Sequence, residues 1–180
     1  MSRKPIPTLL AAAALVGAGA VAGVALGDDD PSRQEVVAQR GAQVMPFSLE
    51  ATTHVFDADD QGGTQRVVAK DAADGEEIRL IRGHLREEAD AFGAGDFADP
   101  AAIHGDDMAG LDALSTGYQD IDVRYRDLPD GAEITYRTDD PELAAAVREW
   151  FEAQLRDHAG DAATPADPGT DHSSHSGHGD

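Results

Sequence analysis

The 180-residue chain contains no cysteine. Disulfide stapling, thiolate ligation of a metal, a cysteine nucleophile and anchoring through a lipidated cysteine are therefore all excluded. Basic residues are scarce as well, with 14 Lys and Arg against 35 Asp and Glu, a formal net charge of −21. A surface of that sign repels phosphate, so nucleic acid and anionic lipid surfaces are poor partners and metal cations are natural ones. The acids are spread through periodic segments instead of forming one block, the pattern of a solvated surface. Motifs of common enzymes are missing too. There is no G-x-S-x-G elbow, no G-x-x-x-x-G-K-[ST] loop, no G-x-G-x-x-G following a strand and no H-E-x-x-H.

The chain opens with Met1-Ser2-Arg3-Lys4 and then runs from Leu9 to Gly27 without a charge or a side-chain hydrogen-bonding group. A basic start, an apolar stretch and the small-residue exit Ala25-Leu26-Gly27 mark residues 1–27 as a signal sequence, with an uncleaved membrane anchor through residues 9–27 as the alternative. The abundance of Ala, Gly and Val over larger apolar residues favours cleavage. In either case the cationic end stays inside and Asp28-Asp29-Asp30 follows the segment out. The expected location is periplasmic, cell-surface or secreted. Removing Arg3 and Lys4 from the 14 basic residues leaves 12 against 35 acids, so the exported part is more acidic still.

Residues 28–41 read as a tether carrying a short helix capped by Ser32, residues 42–158 as one domain, and residues 159–180 as a disordered tail. The tail has no Val, Ile, Leu, Met, aromatic, Lys or Arg residue and cannot bury enough apolar surface to offset chain entropy. Within the domain one pattern occurs twice. Residues 52–56 and 64–69 read as a hairpin followed by a helix from about Asp74 to Phe92. Residues 121–125 and 133–137 read as a second hairpin, turned at Pro129-Asp130-Gly131, followed by a helix over 141–158 that Asp140 and Pro141 start. The helices superpose without a gap at a shift of 66 residues, Asp74 on Asp140, Ile81 on Val147 and Leu85 on Phe151. Each has an apolar stripe that needs covering. The expected fold is α+β: two hairpin-plus-helix (ββα) units forming a four-stranded antiparallel sheet with two helices on one face.

Candidate chemistry rests on histidine. The long link of residues 93–120 carries Ile103-His104-Gly105-Asp106-Asp107-Met108, which gathers an imidazole, carboxylates and a thioether within five residues. In a thiol-free exported protein, His with Met suits copper and His with carboxylate suits zinc. His84 falls on the flank of the first helix's apolar stripe, a half-buried position, with Glu88 one turn on. His54 alternates with Val55 on the first strand, and parity alone leaves open which of the two faces inward. A hydrogen-bonded His/Glu pair and a packed Met explain the same residues without any metal. The tail spaces His172, His175 and His178 by three in an acidic context, a tract that chelates transition metals or merely solubilises.

The strings Met45-Pro46-Phe47, Thr52-x-His54, His84-Leu85, Gly95-Asp96-Phe97, Ile103-His104-Gly105, Trp150-Phe151 and Asp157-His158 resemble a family of short exported bacterial proteins without an established activity. The likeness spans roughly residues 40–158. Some of that family carry the name aspartate carbamoyltransferase, yet the Ser-Thr-Arg-Thr phosphate loop and His-Pro-x-Gln segment of such a transferase are absent, so that chemistry is not expected. The family tends to have Pro where this chain has Ala109 and His where it has Arg148. The resemblance implies His54, His84, His104 and His158 as its site residues. Together the residues and the likeness lead to an exported metal-binding protein, copper favoured and zinc the alternative, with His54, His84, His104, Met108 and His158 in the domain and His172, His175 and His178 in the tail. Two other readings stand beside it: an enzyme, the named transferase or a metal-dependent hydrolase, and an envelope interaction domain whose histidines only pack.

Overall fold

The computed structural model describes residues 31–158 and 160–165. The expected signal segment and the tail histidines His172, His175 and His178 lie outside the described residues.

The architecture is α+β, with five α-helices and a five-stranded mixed sheet among the described residues. In chain order these are α1 (Arg33–Val44), β1 (Thr52–Asp59), β2 (Gly62–Ala69), α2 (Gly75–Gly93), α3 (Ala98–His104), α4 (Leu111–Gly117), β3 (Asp122–Leu128), β4 (Gly131–Arg137), α5 (Pro141–His158) and β5 (Ala162–Ala163). The sheet order is β3-β4-β2-β1-β5. The hairpins β1–β2 and β3–β4 join through the antiparallel β2–β4 pair, in which Gln65 faces Ile134 and Val67 faces Ala132. Strand β4 approaches β2 so closely that a Cβ on Gly131 would lie 2.0 Å from the Val67 carbonyl oxygen.

Alternation sorts the two sheet faces. His54, Phe56, Val67, Ile134 and Tyr136 are buried on one side, and both long helices lie against them, Phe92 of α2 on Tyr136 and Phe151 of α5 on Phe56. The opposite face is polar, with Glu133 accepting from Arg66 and Arg126, each at 2.7 Å. Helix α2 starts where Asp74 accepts from the Glu77 amide and buries the stripe Ile78, Ile81, Leu85, Ala89 and Phe92. Trp150, completely buried, meets Phe92 edge-on.

Four features correct the expectation of four strands and two helices. The first is β5, which pairs in parallel with β1 beside His54, so the chain beyond His158 still belongs to the sheet. It contains no large apolar residue, and it is held by its backbone pairing with β1 and by Ala162 against the core. The second is α1, the Ser32-capped helix that the tether was expected to carry, which runs on to Val44 and packs against the domain. Ser32 and Glu35 form a reciprocal cap, Val37 is buried and Arg33 reaches Asp157 of α5, so the packed unit begins well before residue 42. The last two are α3 and α4, which organise the long link by burying Phe97, Ile103, Met108, Leu111 and Leu114.

Candidate metal centre

Equivalent positions on the two long helices face each other across the core. His84, Glu88 and Phe92 of α2 are spaced by four residues, as are Trp150, Gln154 and His158 of α5, and spacing by four keeps side chains on one helix face. These two triplets correspond under the 66-residue shift that aligns the helices. All six line one cavity of about 30 Å³, together with His54 from β1, His104 from the end of α3, and Met45 and Phe47 from the segment after α1. The four histidines of the domain thus meet at one place, each brought by a different element.

Within the cavity wall three imidazoles form a series. The His54 and His158 ring centres are 5.3 Å apart and nearly parallel. Those of His158 and His104 are 5.0 Å apart and close to perpendicular. His84 stands on the far side of Phe47, whose ring contacts His54 at 6.0 Å and His84 at 5.5 Å. Two imidazoles sharing one ion at ~2.1 Å hold their centres about 5 Å apart, a separation of the size seen here. Among the described residues, however, no three His, Asp or Glu groups already form a metal-binding cluster.

His104 is held from behind. Its Nδ1 is 2.8 Å from Asp157 Oδ2, and the same carboxylate accepts from Arg33 Nε at 2.6 Å and Nη2 at 2.7 Å. Arg33 also donates to the His104 carbonyl at 3.0 Å. A carboxylate on Nδ1 places the proton there and leaves Nε2 unprotonated, with Gln154 beside the ring. Burial would raise the Asp157 carboxyl, yet the bonds from Arg33 and His104 outweigh it and hold it below the usual range. His54 has the opposite character. It is 4% exposed, and its Nδ1 is buried without a partner. Such a group costs about 1–3 kcal/mol unless something satisfies it.

Burial and the neighbouring imidazoles push His54 down to about 3. Burial first, then the adjacent His104, pushes His158 down to about 4. Burial also lowers His104 against the pull of Asp157, and His84 against the pull of Asp99 and Glu87. The cavity wall therefore presents neutral imidazoles at neutral pH, the protonation state that ligates metals. Glu88, with Oε1 3.5 Å from His84 Nε2, is pushed up to about 8 by burial and by Asp99. It is a protonated acid at neutral pH.

Met108 does not join this group. Gly105, at φ 99°, turns the chain immediately after His104, and Met108 packs instead toward a separate surface cleft with Arg33, Asp107 and Asp157. The thioether in the histidine cavity is that of Met45. His84 is more buried than a flank position suggests, at 7% exposed, because Phe47 covers it. Parity on β1 resolves with His54 inward. The roles of Asp157 and Gln154 escaped the sequence reading. The only signal for Asp157 was its place beside His158 in a shared motif, and nothing in the sequence ties it to Arg33.

Comparison of the chain with family models, with curated proteins and with solved structures finds no match.

Proposed function

We propose that this is an exported protein that binds a transition-metal ion in the histidine cavity, copper in preference to zinc, and that it belongs with the short exported proteins it resembles. The two hairpin-plus-helix units act in this reading as a scaffold: their antiparallel strands place His54 and their paired helices place His84 and His158. The observation that carries the proposal is the row His54, His158 and His104 around one small cavity, with His104 oriented by Asp157 and His54 Nδ1 unpartnered. A cavity of about 30 Å³ has room for an ion or about one or two waters. Loading requires the rings to turn a lone pair toward the centre, which imidazoles do about χ2 without moving the backbone. Copper is preferred because Met45 adds a soft thioether to neutral imidazoles, while a Glu88 that gives up its proton suits zinc. The tail His172, His175 and His178 form a second, weaker chelator.

Nothing at the cavity favours carbamoyl transfer. A phosphate-bearing substrate needs a cation to hold it, and among the described residues neither Arg nor Lys lines the cavity. The test is titration of the full chain carrying H172A, H175A and H178A with Cu⁺, Cu²⁺ and Zn²⁺, followed by metal analysis after desalting. One tightly held ion per chain is expected, lost in His104→Ala and His158→Ala. A chain that retains none of the three ions overturns the proposal and leaves the histidines as packing groups.

A further inference from the structure

A second cavity, of about 170 Å³, opens between α2 and the start of α3. Three of its lining residues, His84, Glu88 and Phe92, also line the histidine cavity, so the two spaces share a wall. The remaining walls are strongly acidic and contribute Glu87, Asp96 and Asp99 without a Lys or Arg. Glu87 and Asp96 are exposed carboxylates at the rim, whereas the Glu88 side chain is 11% exposed and the His84 side chain 8%. The charges of Asp99 and Glu87 act on the His84 ring, and that of Asp99 acts on Glu88. Outer carboxylates, the His84–Glu88 pair, and then, past the Phe47 ring that separates the two histidines, the unpartnered Nδ1 of His54 thus follow one another from surface to interior.

The cleft on the side of α1 is mixed in charge. It is lined by Arg33, Arg156, Asp107 and Asp157 among others, and the Arg33 guanidinium that grips Asp157 stands between its opening and His104. A cation approaching there meets two guanidinium groups alongside two carboxylates, whereas among the described residues one approaching between α2 and α3 meets carboxylates and no Lys or Arg.

We propose that the acidic cleft between α2 and α3 is the port through which a divalent cation reaches the histidine cavity, with the His84–Glu88 pair as the inner gate. The inference rests on the metal-binding reading and adds a route and a transfer step to it. The outer carboxylates Glu87, Asp96 and Asp99 concentrate the hydrated ion. Glu88 then exchanges its contact with His84 for the ion, and the imidazoles of His54, His158 and His104 take the ion over. Steering by like-signed walls raises association rates by about 10- to 1,000-fold and weakens with salt.

The experiment is stopped-flow mixing of Cu²⁺ with the full chain carrying H172A, H175A and H178A, read by quenching of Trp150, which lines the histidine cavity and is the single tryptophan. The cleft variant adds E87Q, D96N and D99N. Asn at 96 retains the oxygen that accepts from the Ala98 amide. It is expected to bind the same number of ions with an association rate at least about tenfold lower at low salt and a flatter salt dependence. Asp107→Asn, in the α1-side cleft, is expected to leave the rate unchanged. Equal rates in the cleft variant and its parent overturn the port while the metal site stands, and so does an equal slowing by Asp107→Asn. A parent chain that holds no ion overturns both.

Discussion

Replacement of Glu88 by Gln gives a sharp quantitative test of how the core is charged. In the folded protein Glu88 is pushed up to about 8, against an ordinary 4.5, so across that window the folded state holds a proton that the unfolded state lacks. Its contribution to stability is complete below pH 4.5 and is lost as pH rises through 8. His54 and His158 work in the other direction. Their folded values of about 3 and about 4 lie below the ordinary 6.5, so their contribution is complete above 6.5 and is lost as pH falls. One proton of difference changes stability by about 1.4 kcal/mol per pH unit. Two imidazoles against one carboxyl leave a rise of at least about 1.4 kcal/mol per unit between pH 4.5 and 6.5, to which the lowered His84 and His104 add. Above 6.5 Glu88 acts alone, and stability falls by roughly 1.5–2 kcal/mol by pH 8. The metal-free chain should thus be most stable near pH 6.5. Urea unfolding in chelator, followed by the fluorescence of Trp150, which is completely buried, reads this directly. In Glu88→Gln the alkaline decline should vanish. A wild-type profile that stays flat or rises from 6.5 to 8, or a variant whose profile runs parallel to it, would refute the assignment of a protonated buried carboxyl.

Asp157→Asn should lower stability by about 1–3 kcal/mol, because it weakens the hold on both Arg33 and His104, and should weaken metal binding about 10- to 100-fold; denaturant melts and competition titration check the two effects separately. Trp150→Ala, at the meeting of Phe92, Phe97, Tyr136 and Phe151, should cost about 3–5 kcal/mol, measured through circular dichroism because the fluorophore is gone. Gly131→Ala forces a Cβ into the Val67 carbonyl and should reduce the urea midpoint, with no change if β4 can move away. Loading Cu²⁺ at pH 7 should release no proton from His54 or His158, whose folded values of about 3 and about 4 leave both rings neutral; calorimetry in buffers of differing ionisation enthalpy checks this.

Several elements were legible because their signals are local. Helix α5 begins where Asp140 and Pro141 direct it and covers the expected 141–158, and the β3–β4 turn lies where Pro129 and Asp130 direct it. Strand β5 carried no such signal, since Ala162–Ala163 has no side chain that marks an edge strand. The packing of α1 was hidden for a different reason: its apolar content is low, and Arg33 is anchored by a partner 124 residues away. Helix α3 was obscured by Gly, Asp and Pro around it, although Ile103 and His104 at its end are among the buried residues that organise the cavity.

For the candidate site the division is similar. Composition alone singled out histidine in a chain without thiols, and helical phase alone put His84 and Glu88 on one face of α2. The row of His54, His158 and His104, the exclusion of Met108, the substitution of Met45 and the Asp157–Arg33 support all depend on contacts between segments far apart in the chain. Local sequence constrains backbone conformation and the side of an element that is buried. It does not state which buried sides meet, because that is settled by the simultaneous packing of every element around one core.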